Sequence, residues 1–121
     1  MTTIKHFEDL LVWQKARELN KNIYTLSNET SFIRDYTLKD QIRKSSISIM
    51  SNIAEGFERN SSKEYKYFLN IAKGSSGELR SQLYIAYDLD YINKDQFAFC
   101  SNLASEISRI LFAIIQKINL K

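Results

Sequence analysis

Apolar residues recur along the chain at steps of four and three, the spacing that places side chains on one face of an α-helix. Val12, Ala16, Leu19, Ile23 and Leu26 follow it and predict a first helix over 7–27. Leu38, Ile42, Ile49 and Ile53 predict a second over 37–57, opened by Thr37 and Asp40 as a capping pair. The third begins at Ser61-Ser-Lys-Glu64, a capping box in which hydroxyl and carboxylate each satisfy a free backbone amide. Its stripe is Tyr65, Leu69, Ala72, Ser76, Leu79, Leu83 and Ala86. The fourth opens at Asn93 with Gln96 three residues on. Phe97, Cys100, Ala104, Ile107, Leu111, Ile114 and Ile118 then hold the 3.5-residue period of a bundle seam.

The connections at 58–61 and 90–93 are short, which favours antiparallel neighbours in an up-down bundle. The connection over 28–36 is longer and is expected to wander. Three glycines and no proline argue against an all-β domain, which would consume many turn residues. The expected fold is therefore all-α: an antiparallel up-down four-helix bundle forming one domain, 1–121, without repeat or linker.

Several helices carry more apolar surface than one seam requires. Ile47, Met50, Ala54 and Phe57 lie beside the second stripe, Leu10, Trp13 and Tyr24 beside the first, and Phe99, Leu103 and Ile110 beside the fourth. Extra apolar stripes mark either contact with another chain, the favoured reading, or seams that are simply wide. Gly74 and Gly77 form a small-residue patch inside the third helix, where each costs about 1 kcal/mol relative to alanine. Either the helix bends there or another backbone approaches closely; a phosphate loop is disfavoured, because no strand precedes them and no Walker pattern is present. Ile47, Met50, Ala54, Gly74 and Gly77 are the expected oligomer interface.

Gln41, Ser45, Ser48, Asn52 and Glu55 form a polar stripe on the second helix. Short serines and asparagine are poor choices for a solvated helix face. A packed hydrogen-bonding seam with Ser75, Ser76 and Glu78 is the favoured reading, and a carboxylate site built from Glu55 and Glu78 is the alternative.

The chain has 121 residues, 44% hydrophobic and 26% charged, the balance of an ordered globular domain. No uninterrupted apolar run approaches the length of a membrane span, and Met1-Thr-Thr-Ile-Lys-His6 has no signal-peptide core, so a cytoplasmic address and no membrane partner are expected. A single cysteine excludes an intramolecular disulfide. With only one histidine, most soft-metal sites and most histidine-based catalysis are excluded too. No catalytic residue, metal or cofactor is expected, and Cys100 and His6 receive no role.

The net charge of +3 is unevenly placed. Residues 59–84 hold Arg59, Lys63, Lys66, Lys73 and Arg80 against only Glu64 and Glu78. Lys66, Lys73 and Arg80 stand seven apart, a basic line along one helix edge that Tyr84 continues. This edge is either a solvated flank of the core or a binding edge for a phosphate backbone.

Four stretches belong together: Phe7-Glu-Asp-Leu-Leu-Val-Trp-Gln-Lys-Ala16, Gln41-Ile-Arg-Lys-Ser-Ser-Ile-Ser-Ile49, Asn52-Ile-Ala-Glu-Gly56 and Ser75-Ser-Gly-Glu-Leu79. As a set they resemble the four-helix bundle family first described from intervening sequences inside bacterial 23S rRNA genes. That resemblance implies an antiparallel four-helix bundle assembling as a ring-like homopentamer. A related branch, the accessory variability determinant of diversity-generating retroelements, is a basic pentameric bundle that binds nucleic acid and a reverse transcriptase. The expectation is a non-enzymatic, homopentameric protein that associates with nucleic acid, RNA before DNA, through Arg59, Lys63, Lys66, Lys73 and Arg80. The alternative is an interaction scaffold for a partner protein.

Overall fold

Leu10, in an extended conformation (φ −74°, ψ 124°), separates a single 3-10 turn, Phe7–Asp9, from the first α-helix, α1 (Leu11–Ser27). The predicted helix over 7–27 is thus broken. The physical reason is the Phe7 ring, which meets the Trp13 ring edge-on at 5.1 Å. On a continuous helix these residues would stand about 120° apart around the axis and about 9 Å apart along it, and could not touch. Gln14 Nε2 fastens the turn by donating to the Glu8 carbonyl at 2.9 Å.

The computed structural model describes residues 3–119; the first two and last two positions of the expected domain lie outside it. It is all-α: α1 is followed by α2 (Tyr36–Phe57), α3 (Ser62–Asp88) and α4 (Lys94–Asn119), with no strand among the described residues. The connection over 28–36 does not wander. It contains a second 3-10 turn, Phe32–Arg34, whose Phe32 is buried and stacked on Tyr91 at 5.2 Å.

The helix starts follow capping chemistry. α2 begins one residue earlier than predicted, because Asp35, rather than Thr37 with Asp40, is the cap and accepts from the Leu38 amide at 3.0 Å. Ser61 Oγ accepts from the Glu64 amide at 3.1 Å at the head of α3. Asn93 and Gln96 form a reciprocal box before α4, each side chain accepting from the other's amide at 2.8 Å.

Each helix packs on two neighbours: α1 on α2 and α4, α2 on α3, and α3 on α4. The enclosed core holds Val12, Ala16, Leu19 and Ile23, then Ile42, Ile49 and Ile53, Leu69, Ala72, Leu79 and Leu83, and Cys100, Ala104, Ile107 and Leu111. Two expected positions on α4 shift. Leu103 belongs to the core rather than to an outer face, and Ile115, rather than Ile114 or Ile118, closes the seam. A real helix at 3.6 residues per turn drifts about 20° per heptad from a strict 3.5 repeat, which carries the inner line from one position to the next.

α4 is also the most apolar helix of the chain. By length and composition it is apolar enough to cross a membrane, although the polar pairs Ser101-Asn102, Ser105-Glu106 and Ser108-Arg109 interrupt it. Only 33% of that stretch is buried within the chain. Its inward line is packed in the bundle core and its outward side leaves Phe99 and Phe112 exposed.

Candidate nucleic-acid interface

The inward stripe of α3 is occupied by Leu69, Ala72, Ser76, Leu79 and Leu83, so residues at 66, 73 and 80 fall together beside it. Lys66 and Lys73 are half-buried, and Lys63 and Arg80 are exposed. The Lys73 ammonium lies 5.9 Å from the centroid of the Phe112 ring on α4, which places this edge along the α3–α4 side. Tyr84 ends the line, exposed, with its ring 4.9 Å from that of Phe97 on α4. Among the described residues no carboxylate lies within ion-pair distance of Lys63, Lys66, Lys73 or Arg80.

Arg59 stands apart. Its Nε donates to Glu55 Oε2 at 3.0 Å, its Nη1 reaches Glu64 Oε2 at 3.4 Å, and its guanidinium lies 4.7 Å from the Phe68 ring centroid. Two carboxylates neutralise it, and it ties the end of α2 to the start of α3. Tyr67, 62% exposed and one turn beyond Lys63, is an aromatic neighbour of the edge that the pattern of charges alone did not single out. Its signal in the sequence is position: an aromatic interleaved between Lys63 and Lys73.

The polar stripe of α2 meets α3 in part. Ser45 Oγ donates to Glu78 Oε1 at 2.7 Å, Ser48 and Ser75 share a hydrogen bond at 2.8 Å, and Asn52 Nδ2 donates to the Ser48 carbonyl at 2.8 Å and to its hydroxyl at 3.0 Å. Gln41 is exposed, at the edge of a groove that it shares with Gln82 and Ile85. Glu55 turns to Arg59 and Glu78 to Ser45, so the two carboxylates of the alternative acid–base reading do not come together. Ser76 faces α4 instead of α2: its Oγ donates to the Ala104 carbonyl at 2.8 Å and accepts from Ser108 Oγ at 3.0 Å. Among the described residues no group of three or more His, Cys, Asp or Glu side chains gathers as a metal site.

The five expected interface residues separate into three environments. Met50 and Ala54 are half-buried and line an open groove with Phe7 and Trp13, where the N-terminal 3-10 turn packs on α2. Ile47 is exposed at the edge of a groove with Tyr24 and Arg43. Gly74 and Gly77 are exposed, and a Cβ at either would have no atom within 4 Å beyond its chain neighbours and its own helix backbone. The close approach inside the bundle is at Gly56, where a Cβ would stand 2.9 Å from Phe68 Cβ and 3.2 Å from the Tyr65 carbonyl oxygen. Gly56 was visible in the sequence as a glycine inside a helical pattern, but its neighbours across α3 were not.

Burial acts on one nucleophile. Cys100 lies in the core, and desolvation pushes its thiol up to about 11. That is an inert thiol.

Residues 8–113 match the family described as the 23S rRNA-intervening sequence protein. The chain is also similar to the crystal structure of a protein of unknown function from the S23 ribosomal protein family of Bacteroides thetaiotaomicron. The two share 28% sequence identity with a TM-score of 0.79, over 87% of this chain and 98% of that one. No curated protein matches the chain. The chain belongs to the 23S rRNA-intervening sequence protein family.

Proposed function

We propose that this member of the 23S rRNA-intervening sequence protein family is a non-enzymatic, oligomeric bundle that holds nucleic acid, RNA before DNA, along Lys63, Lys66, Lys73 and Arg80. The observation that carries the reading is the absence of carboxylate partners for these four cations among the described residues. Residues 65–77 contain no Asp or Glu at all. A merely solvated helix face is ordinarily laced by opposite charges one turn apart. Here the positive charge is left for an outside anion, with Tyr84 and Tyr67 exposed beside it for stacking.

The assembly within this reading is a single up-down bundle domain, 1–121, repeated as a ring of five copies in the cytoplasm without a membrane. Support for antiparallel neighbours comes from the paired residues: along α2 the partners Ser45, Ser48 and Gly56 meet Glu78, Ser75 and Phe68, rising on one helix as they fall on the other. Support for the ring comes from the apolar surface left open around Phe99. Three or four cations on one protomer hold a phosphate backbone weakly; repeated around a ring they add up. Kinship with the accessory determinant of diversity-generating retroelements belongs to this same proposal.

Fluorescence anisotropy with labelled single-stranded RNA and DNA across a salt series tests it. Three phosphate contacts give a logarithmic salt slope near −2 per protomer, from about −0.7 per neutralised phosphate. Lys66→Glu with Lys73→Glu abolishes binding, while Arg59→Ala, whose charge is already neutralised, leaves the slope unchanged. Affinity undetectable at low salt, or unaltered in the double variant, would remove the basic edge. It would promote the second reading, a scaffold for a partner protein, which the exposed Tyr84, Ile85, Tyr87 and Leu89 near the end of α3 favour. Co-purification that recovers a protein and no nucleic acid is the outcome that reading requires.

A further inference from the structure

Away from the α3 edge, between α1 and α2, Arg43 is held in a way that no core requirement explains. Its Nε donates to Ser27 Oγ at 2.8 Å, and Ser27 is fully buried, its hydroxyl in turn directed to the Tyr24 carbonyl at 3.4 Å. The guanidinium lies 4.4 Å from the centroid of the Tyr24 ring. One nitrogen and one face are therefore fixed, which sets the plane of the fork. Nη1 and Nη2 have no hydrogen-bond or ion-pair partner among the described residues.

These free donors belong to a residue lining a groove of about 390 Å³ together with Tyr24, Asp40, Lys44 and Ile47. Lys44 supplies a second cation. Asp40 brings the one carboxylate of the lining, yet forms no ion pair with Arg43 or Lys44. Lys39, on the same helix, is drawn instead to the Tyr36 ring at 4.8 Å. An arginine whose rotamers are already spent on Ser27 and Tyr24 gives up little entropy on binding, and its fork matches the two oxygens of an oxyanion.

We infer that this groove is a second anion site, separate from the α3 edge, in which Nη1 and Nη2 of Arg43 grip two oxygens of a phosphate group and Lys44 adds a point charge. Tyr24 and Ile47 provide an apolar wall for whatever carries the phosphate. The phosphate comes either as a terminal monoester or as a backbone diester, and the two share the recognising chemistry.

Line broadening in ³¹P NMR tests the site on the full chain with three probes: inorganic phosphate, adenosine monophosphate and a dinucleoside monophosphate that carries only a diester. Inorganic phosphate and adenosine monophosphate broaden with the wild-type protein. A dinucleoside monophosphate that broadens as strongly identifies a backbone diester as the natural ligand, and one that does not identifies a terminal phosphate. Arg43→Lys, which keeps the charge and loses the fork, weakens binding about tenfold. Tyr24→Leu, at an exposed position, weakens it severalfold without threatening the fold, and Asp40→Asn strengthens it. Circular dichroism confirms that each variant retains its helices. Lys66→Glu with Lys73→Glu leaves the broadening intact. No broadening with the wild-type protein, equal broadening by Arg43→Lys and Tyr24→Leu, or loss of broadening in the α3 double variant overturns the inference.

Discussion

Tyr91 Oη donates a 3.0 Å hydrogen bond to Asp35 Oδ2, joining two residues that stand 56 positions apart in the chain. The other oxygen of the same carboxylate accepts the Leu38 amide at 3.0 Å and caps α2. One side chain thereby closes a helix start and pins the α3–α4 connection to it, with Phe32 stacked against Tyr91. The hydrogen bond to Asp35, then burial and the carboxylate's charge, push the Tyr91 phenol above its ordinary value of 10.0.

Asp35→Ala loses the cap, which alone costs about 1 kcal/mol, and frees Tyr91 as well. Asp35→Asn keeps the carbonyl oxygen that caps the Leu38 amide and turns an Nδ2 donor to the Tyr91 hydroxyl, which can accept from it, so it loses less. Urea unfolding of the two variants orders them; equal loss would show that the acceptor geometry at Asp35 does not matter. A phenol raised in the folded state contributes stability that is present below pH 10 and lost as pH rises further, and Tyr91→Phe reduces that alkaline loss.

The three glycines respond in opposite directions. Gly74→Ala and Gly77→Ala meet open space and gain helix propensity, raising stability by up to about 1 kcal/mol each. Gly56→Ala gains the same propensity but forces a Cβ against Phe68, and overpacking of about 1–3 kcal/mol outweighs it. Thermal melts give the signs. Gly77→Leu then reports on assembly: in light scattering its mass falls if a neighbouring copy approaches the patch.

Cys100 stays unmodified by a thiol reagent in the folded protein at neutral pH and reacts once urea unfolds the chain. Its thiol is raised from 9.0 to about 11, so the folded state holds the proton more tightly than the unfolded one. Stability from this group is complete below pH 9.0 and disappears as pH climbs towards about 11. Cys100→Ala shows a smaller alkaline decline than the wild type, measured by denaturation at pH 8 and above. Rapid labelling of the native protein contradicts the buried thiol.

Phe99 is the cleaner probe of the apolar surface than Met50, which is half-buried and packs against the core. Phe99→Asp puts an unpaired charge into any contact made there, an expensive burial, so the particle mass falls while helical content is retained. Met50→Asp loses helical content instead. A wild-type protein that scatters light as a monomer at micromolar concentration removes the ring from the proposal.

Most of the helices and most of their inward faces were legible in the residues alone, because periodicity and capping act between neighbours in sequence. Ser61 with Glu64, and Asn93 with Gln96, are three residues apart and need nothing else to form. The tertiary structure decided whatever depends on residues brought together from afar. Phe7 meeting Trp13 breaks the predicted first helix at Leu10, and Tyr91 gives Asp35 a second partner beside its cap. Ser76 turns to α4 because the Ala104 carbonyl and Ser108 are there, a choice no local spacing contains. The candidate site divides along the same line. Charge spacing placed Lys66, Lys73 and Arg80 on one edge, but only packing shows Arg59 neutralised by Glu55 and Glu64 and Arg43 held ready by Ser27 and Tyr24. A helix face follows from 3.6 residues per turn, whereas the partner that a side chain finds across an interface follows from how the faces dock.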